Sequence, residues 1–416
     1  MEVEFLGGAR EVGRSAVLVD DSLLLDYGLL TADPPQYPIR DPEPDAVVVS
    51  HGHLDHVGAV PALLKGSRRP TIHWTPPTAD LARVLARDTL TLHGNSPLCP
   101  FTDEHVARLG EVEQRHGYEE PFAVLGGPDA GGYEVTLFDA GHIPGSAHVL
   151  VDDGDTRLLY TGDFHTDDQR LVAGTTTRPD ADVVICESTY ADVTHEERAA
   201  VEQRWAERVR TTTWEGGTVV APVFAIGRTQ ELMLVSGAND LTPYVDGMGR
   251  EVTRLVRRHP EFLRDPEALR DAAGAARFVT GRDGQRERIA ADNALILTTS
   301  GMLTGGPVHA YLPEIRGDPT NAVTLTGYQV EGTPGRELQE HGRLAIRGQV
   351  RPVSARVESF DFSAHADREG LESFLDAYRD GRVLVNHGDR CVAFAEDLRA
   401  DGYAASAPEL GERIEV

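Results

Sequence analysis

Four groups able to ligate a metal fall within six consecutive positions: His51, His53, Asp55 and His56, in the stretch SHGHLDH. Imidazole nitrogen and carboxylate oxygen both bind zinc at about 2.0–2.2 Å. In a His-x-His spacing the two rings can point the same way. The Asp-His pair that follows adds a carboxylate and a third ring at the start of a helix. One tetrahedral zinc cannot use four such donors together with ligands from elsewhere, so the spacing points to two adjacent metals. The plainer alternative is a solvated polar turn. The apolar run AVVVS before the stretch and the helical pattern VGAVPALLKG after it argue against that, because strand ends are where loops hold side chains convergently.

Two metals need donors from other loops, which should lie at strand ends beside small residues. FDAGHIPGSAH offers His142, LLYTGDFH offers Asp163 and VLVNHGD offers His387. Each alone reads as an ordinary polar residue. With the cluster they make a balanced set of five imidazoles and two carboxylates, in which Asp163 can bridge.

The elements that must position these residues alternate in kind along the chain. The first 60 residues read as short strands (VEFLGG, SAVLVD, SLLLDYG, AVVVS), with DDS as a hairpin turn. A short helix closed by Gly66 and a longer amphipathic one with Leu81, Val84, Leu85 and Leu92 on one face follow. Next comes a second strand-rich block ending in ADVVICEST. From about residue 195 helices and strands alternate, the pattern of an α/β unit with a parallel sheet. The expected organisation is a first domain over 1–194, an insertion over 195–345 and a closing part of the first domain over 346–416.

At 416 residues the chain is too long for one ordinary core. It has no apolar run long enough to span a membrane. The opening MEVEFLGGAR is no secretory leader, so a cytoplasmic location is expected. Cys99, Cys186 and Cys391 are far apart and form no CxxC pattern, which argues against a disulfide framework or a cysteine zinc site. There are 67 acidic against 40 basic residues, net −27, and Lys65 is the only lysine. The acids are interleaved with apolar periodic segments, so disorder is not the reading. A strongly negative surface suits a halophilic source, since at about 1 M salt the Debye length falls to about 3 Å and self-repulsion costs little.

The set HGHLDH, AGH, TGD and NHGD, in this order, resembles the metallo-β-lactamase superfamily. LLLDYG, ending its strand at Asp26, matches that superfamily's first motif. VICESTY with Glu187, FSAHAD with His365 and NHGD with His387 resemble the three extra motifs of its β-CASP nuclease branch, which includes RNase J and the catalytic subunit of the cleavage and polyadenylation specificity factor. APVFAIGRTQELML, TTSGMLTGGP and TLTGYQVEGTPGR resemble stretches of the inserted domain, so the likeness covers nearly the whole chain. It implies an α/β fold: a metallo-β-lactamase αββα sandwich with an inserted α/β β-CASP domain over the metal cleft.

The resemblance further implies two Zn²⁺ per chain. His51, His53, His142 and Asp163 would hold the first, and Asp55, His56, Asp163 and His387 the second, with Asp26 behind them. Two such ions lower the pKa of a water between them toward about 7 and would hydrolyse a phosphodiester of single-stranded RNA by endonucleolytic cleavage, 5′-to-3′ exonucleolysis or both. His365 would protonate the leaving oxygen while Glu187 holds its ring. Ser363, Ala364 and the neighbouring amides of FSAHA would cradle a phosphate, and Arg228 would contact another. His148 falls on no ligand position and reads as structural. The same resemblance leaves room for a homodimer or for membership of an RNA-processing complex. The alternatives are a small-molecule metallohydrolase, such as a thioesterase or lactamase, and a non-catalytic subunit of an RNA-processing complex.

Overall fold

A computed structural model describes every residue from Met1 to Val416 apart from Asp33, Arg68, Asn95, Pro97, Asp283 and Arg347. The chain forms two compact units. The first comprises Met1–Asp168, Gly174–Thr194 and His365–Val416, and the second Gln169–Ala173 and His195–Ala364.

The first unit holds two seven-stranded sheets. One runs in the order Arg413–Glu415, Glu2–Gly7, Ala16–Val19, Leu23–Leu25, Ala46–Val48, Thr71–Trp74, Glu113–Arg115. The other runs Ala404–Ser406, Arg382–Asn386, Val183–Glu187, Arg157–Tyr160, Ala147–Asp152, Tyr133–Asp139, Phe122–Val124. Val17, Leu25 and Val48 from the first sheet pack with Val149, Leu158 and Ile185 from the second in one buried core. The alternate side chains Leu18, Leu24 and Val47 face helices Pro76–His93 and Asp103–Val112. Val184, Cys186 and Val385 likewise meet Phe374 and Phe394 on helices Arg368–Leu375 and Cys391–Ala400. This is an αββα sandwich. Because both faces of each sheet are covered, its central strands read as apolar runs, each fully buried Val or Leu contributing about 1.5–3 kcal/mol.

The turn expected at DDS is present: Asp20 and Asp21 take φ of 45° and 53°, the left-handed pair a tight hairpin requires. Two local expectations differ from the structure. Leu92 is 68% exposed at the end of its helix, while Leu81 and Val84 are buried. The single helix expected after the histidines is a four-residue helix, Leu54–Val57, followed by a 3₁₀ segment, Val60–Leu64. Pro61 has no N–H with which to continue the first helix.

The second unit is built on a parallel sheet in the order Arg277–Phe278, Pro243–Asp246, Leu295–Thr298, Val219–Pro222, Ala322–Leu325, Arg356–Ser359. Residues 343–352 form a separate hairpin, Arg343–Ile346 with Gln349–Pro352. The chain then adds Arg356–Ser359 at the sheet edge, so this unit extends to Ala364, past the boundary drawn at residue 345. Among the described residues no helix is long and apolar enough to cross a membrane.

Candidate metal centre

Five strands of the first unit end at one place. Ala46–Val48 leads to His51, Tyr133–Asp139 to His142, Arg157–Tyr160 to Asp163 and Arg382–Asn386 to His387, while Val183–Glu187 ends on Glu187 itself. His53 caps the helix that carries Asp55 and His56. The residues just before Ala16–Val19 and just after Leu23–Leu25 hold this helix: Ser15 N donates to Asp55 O at 2.8 Å and Tyr27 N to His56 O at 2.9 Å. Gly28 makes the approach possible, since a Cβ there would lie 1.7 Å from the Asp55 carbonyl oxygen.

The structure brings all seven proposed donors together in two groups of four, His51, His53, His142 and Asp163, and Asp55, His56, Asp163 and His387, each group's ligand atoms lying within 4.8 Å of one another. Asp163 belongs to both. Its Oδ2 is 3.5 Å from His51 Nε2, 3.3 Å from His56 Nε2 and 3.9 Å from His142 Nε2. Its Oδ1 is 3.0 Å from His387 Nδ1. Asp55 Oδ2 is 3.5 Å from His387 Nε2, and His53 Nδ1 is 3.0 Å from His142 Nε2.

Asp26 is fully buried with φ of 60°, and its carboxylate has four hydrogen-bonding partners, one on Oδ1 and three on Oδ2. Ser50 donates its backbone N–H and its hydroxyl at 2.7 Å each, His56 Nδ1 lies at 2.7 Å, and the Tyr160 hydroxyl donates at 2.9 Å. This fixes the ring of His56 with Nε2 turned to Asp163, the arrangement in which an outer carboxylate orients a ligating imidazole. Ser50 and Tyr160 were not singled out in the sequence. A tyrosine facing a sandwich core must find a partner for its hydroxyl, and that was the available signal.

Burial and the neighbouring rings push His51 well down, and burial pushes His53 to about 4. Burial also opposes charge on His56, but Asp163 and Asp26 outweigh it and lift the ring to about 10; His387 rises for the same reason beside Asp163 and Asp55. Against their own burial, Asp55 and Asp163 are held well below the usual carboxylate range by the surrounding imidazoles. Two buried atoms, His51 Nε2 and Asp163 Oδ1, have no hydrogen-bond partner. Such atoms cost about 1–3 kcal/mol each unless something satisfies them. Orphaned buried atoms amid ionised carboxylates and imidazoles, with His56 and His387 free to give up a proton when an ion binds, form a donor set that fits a divalent metal.

Glu187, His365 and Asp163 form a third group. Glu187 accepts from Phe164 N and Thr189 N, each at 3.1 Å, and its Oε1 is 3.0 Å from His365 Nδ1. His365 Nε2 is 4.0 Å from Asp163 Oδ2. Burial works against charge on His365, yet Glu187 and Asp163 together raise its pKa.

Other expected positions fall elsewhere. Arg228, at the start of helix Arg228–Ala238, Ser363 and Ala364 belong to the second unit. The anion cradle expected over FSAHA is partly spent: Ser363 N donates to Asp361 Oδ1 at 3.1 Å and Ala366 N to Phe164 O at 2.7 Å. Beside it the structure adds a pair that sequence reasoning missed, His195 Nδ1 at 2.6 Å from Asp361 Oδ2. His148 lies in the core between Phe164 and Phe374, with Nδ1 on Thr161 O at 2.8 Å and its pKa pushed to about 4 by burial.

Comparison with known proteins agrees with this architecture. Residues 17–221 match the beta-lactamase superfamily domain, 230–338 the Beta-Casp domain, and 350–408 the Zn-dependent metallo-hydrolase RNA specificity domain. The chain is 31% identical to "Probable RNase MJ4" of Methanocaldococcus jannaschii, over the full length of both. It is 33% identical to "RNase aCSPSF2" of Saccharolobus solfataricus, over all of this chain and 85% of that one. It is also 33% identical to "Transcription termination factor FttA" of M. jannaschii, over 96% of this chain and 69% of that one. The chain belongs to the metallo-β-lactamase superfamily, in the β-CASP branch that contains these RNases.

Proposed function

We propose that this protein is a two-zinc ribonuclease that hydrolyses phosphodiesters of single-stranded RNA. The observation that carries the proposal is the convergence of seven ligand-type side chains on a shared carboxylate, Asp163, with the His365–Glu187 pair directly beside it. His51, His53, His142 and Asp163 would hold one ion, and Asp55, His56, Asp163 and His387 the other. Bound there, the ions supply positive charge for the phosphate oxygens and acidify a water.

The remaining work falls to the chain's own groups. Glu187, fixed by the Phe164 and Thr189 amides, holds the Nδ1–H of His365 and favours its cationic form. The Nε2–H then donates its proton to the leaving 3′ oxygen. The oxygen of water adds to phosphorus and one of its protons passes to solvent, from which His365 is later reprotonated; the bond from phosphorus to the 3′ oxygen breaks, and the products are a 5′-phosphate and a 3′-hydroxyl. Asp26 and Ser50 keep His56 and His51 in register. Arg228, Ser363 and Ala364 are proposed substrate contacts, supported by the closeness of the last two to His365 in the chain. The names of the relatives support placing this chemistry in RNA processing or transcription termination; a cytoplasmic location and a homodimer or RNA-processing complex belong to the proposal.

A time course on one RNA labelled at either end, with 5′-triphosphate and 5′-monophosphate forms compared, tests the proposal. Discrete internal fragments indicate an endonuclease and stepwise loss from the 5′ end an exonuclease. An intact RNA in the presence of zinc contradicts the reading. The excess of 67 acidic over 40 basic residues supports a halophilic setting. Cleavage should then persist at molar salt, and a sharp loss there would count against it.

A further inference from the structure

The acid excess of this protein makes arginine pairing informative. On most surface helices an arginine is tied to a carboxylate: Arg108 to Glu104, Arg204 to Glu196, Arg270 to Glu267, Arg336 to Glu340 and Arg368 to Glu372. The helix Gly249–Val256 of the second unit departs from this. Its sequence, continued to GREVTRLVRR, carries four arginines and one acid. Val252, Thr253, Leu255 and Val256 face the interior. Arg250, Arg254 and Arg257, spaced i, i+4, i+7, share the opposite stripe. Among the described residues none of these three makes an ion pair, and the Nε of Arg250 is buried with no hydrogen-bond partner. Arg254 and Arg257 are exposed.

On a chain with 67 acidic residues, carboxylates abound that could have paired with this aligned row of guanidinium groups, and among the described residues none does. Guanidinium forks suit phosphate oxygens, which they bind in pairs. At about 1.5 Å rise per residue the three groups span about 10 Å along the helix, room for consecutive phosphates of one strand. We infer that the Arg250–Arg254–Arg257 stripe is a backbone-phosphate track for single-stranded RNA, built from none of the residues of the metal centre. The inference rests on the ribonuclease reading for the identity of the polyanion, and it gives that reading a grip which is independent of base sequence.

The test is rapid-mixing anisotropy of a long labelled single-stranded RNA on the full-length, metal-loaded protein, repeated over a range of salt. Each phosphate contact on a single strand contributes about 0.7 to the slope of log affinity against log salt. The Arg254→Gln/Arg257→Gln variant, altered only at exposed positions, should therefore lower the slope by about 1.4, and adding Arg250→Gln by about 2 in all. On the long RNA KM should rise with kcat unchanged, and a short oligonucleotide should show neither change. An unchanged slope and affinity in the double variant overturn the track, as does binding of polyglutamate lost in place of RNA. If the wild type cleaves no RNA, the nuclease reading fails while the salt slope still decides on the track.

Discussion

Two aspartates, one in each unit, sit at strand ends and are almost equally buried, Asp163 at 2% and Asp246 at 3% exposure. Their surroundings differ in kind. Asp246 receives Gly247 N at 2.8 Å, Arg286 Nε and Nη2 at 2.6 and 3.1 Å, and the Tyr311 hydroxyl at 2.7 Å. Its lone pairs are spent on donors and its charge is balanced by one guanidinium, so it acts as a joint that fastens helix Gln285–Ala290 and helix Val308–Ile315 to the sheet. Asp163 is ringed by imidazole nitrogens at 3.0 to 4.0 Å, and its Oδ1 accepts no hydrogen bond. Burial alone therefore does not separate the two carboxylates. What distinguishes Asp163 is acceptor capacity left open among other ligand-type groups.

That difference can be broken at several points. His365→Ala should lower kcat by about 10²–10⁴-fold, the range for a lost general acid, while metal content stays at the wild-type level. A variant that keeps full activity removes His365 from the reaction. Asp246→Ala should instead leave metal content intact and lower stability by about 3–5 kcal/mol, since it strands a partly buried Arg286. Chemical denaturation reads this directly, and a variant as stable as the wild type would show the joint to be dispensable. Asp26→Asn keeps the size of the carboxylate but offers His56 a weaker partner. It should weaken metal binding by about 10–100-fold, measurable by chelator competition, whereas unchanged competition would confine Asp26 to packing.

The smallest effect concerns an imidazole, His73, whose pKa no carboxylate raises. His73 lies 3.0 Å from His116 Nε2 and shares a stack with Phe122. Burial, aided by His116, pushes it down to about 4, opposite to His56. Its neutral form is favoured in the fold, so its contribution is complete above the unfolded value near 6.5 and falls away as pH drops toward 4. Wild type should lose about 1–3 kcal/mol more than His73→Asn over that window, as followed by denaturation at successive pH values. Equal losses would show that the ring already protonates freely in the folded protein.

The residues that converge around Asp163 were legible because SHGHLDH concentrates its donor-type side chains and the others each follow an apolar run. The strands were legible because residues such as Val47 and Val48 form continuous apolar runs, and the sandwich through the resemblance that the motifs carry. The support behind the ligands was not. Ser50 and Tyr160 look like any strand-end serine and core tyrosine until the fold sets both on Asp26. The end of the inserted unit was hidden for a related reason. Arg356–Ser359 is an edge strand with charged residues, so it lacks the apolar run that announces its neighbours, and only sheet pairing assigns it. Leu92 misled because a helical stripe continues in sequence beyond the point where the core ends.

The central claim, that Asp163 is the shared ligand of a metal centre and Asp246 a structural joint, is tested most directly by elemental analysis of wild type, Asp163→Asn and Asp246→Asn purified side by side. The account predicts two zinc ions per chain in wild type and in Asp246→Asn, with most of the metal lost from Asp163→Asn. Two zinc ions retained in Asp163→Asn, or no metal in the wild type after zinc loading, would contradict it.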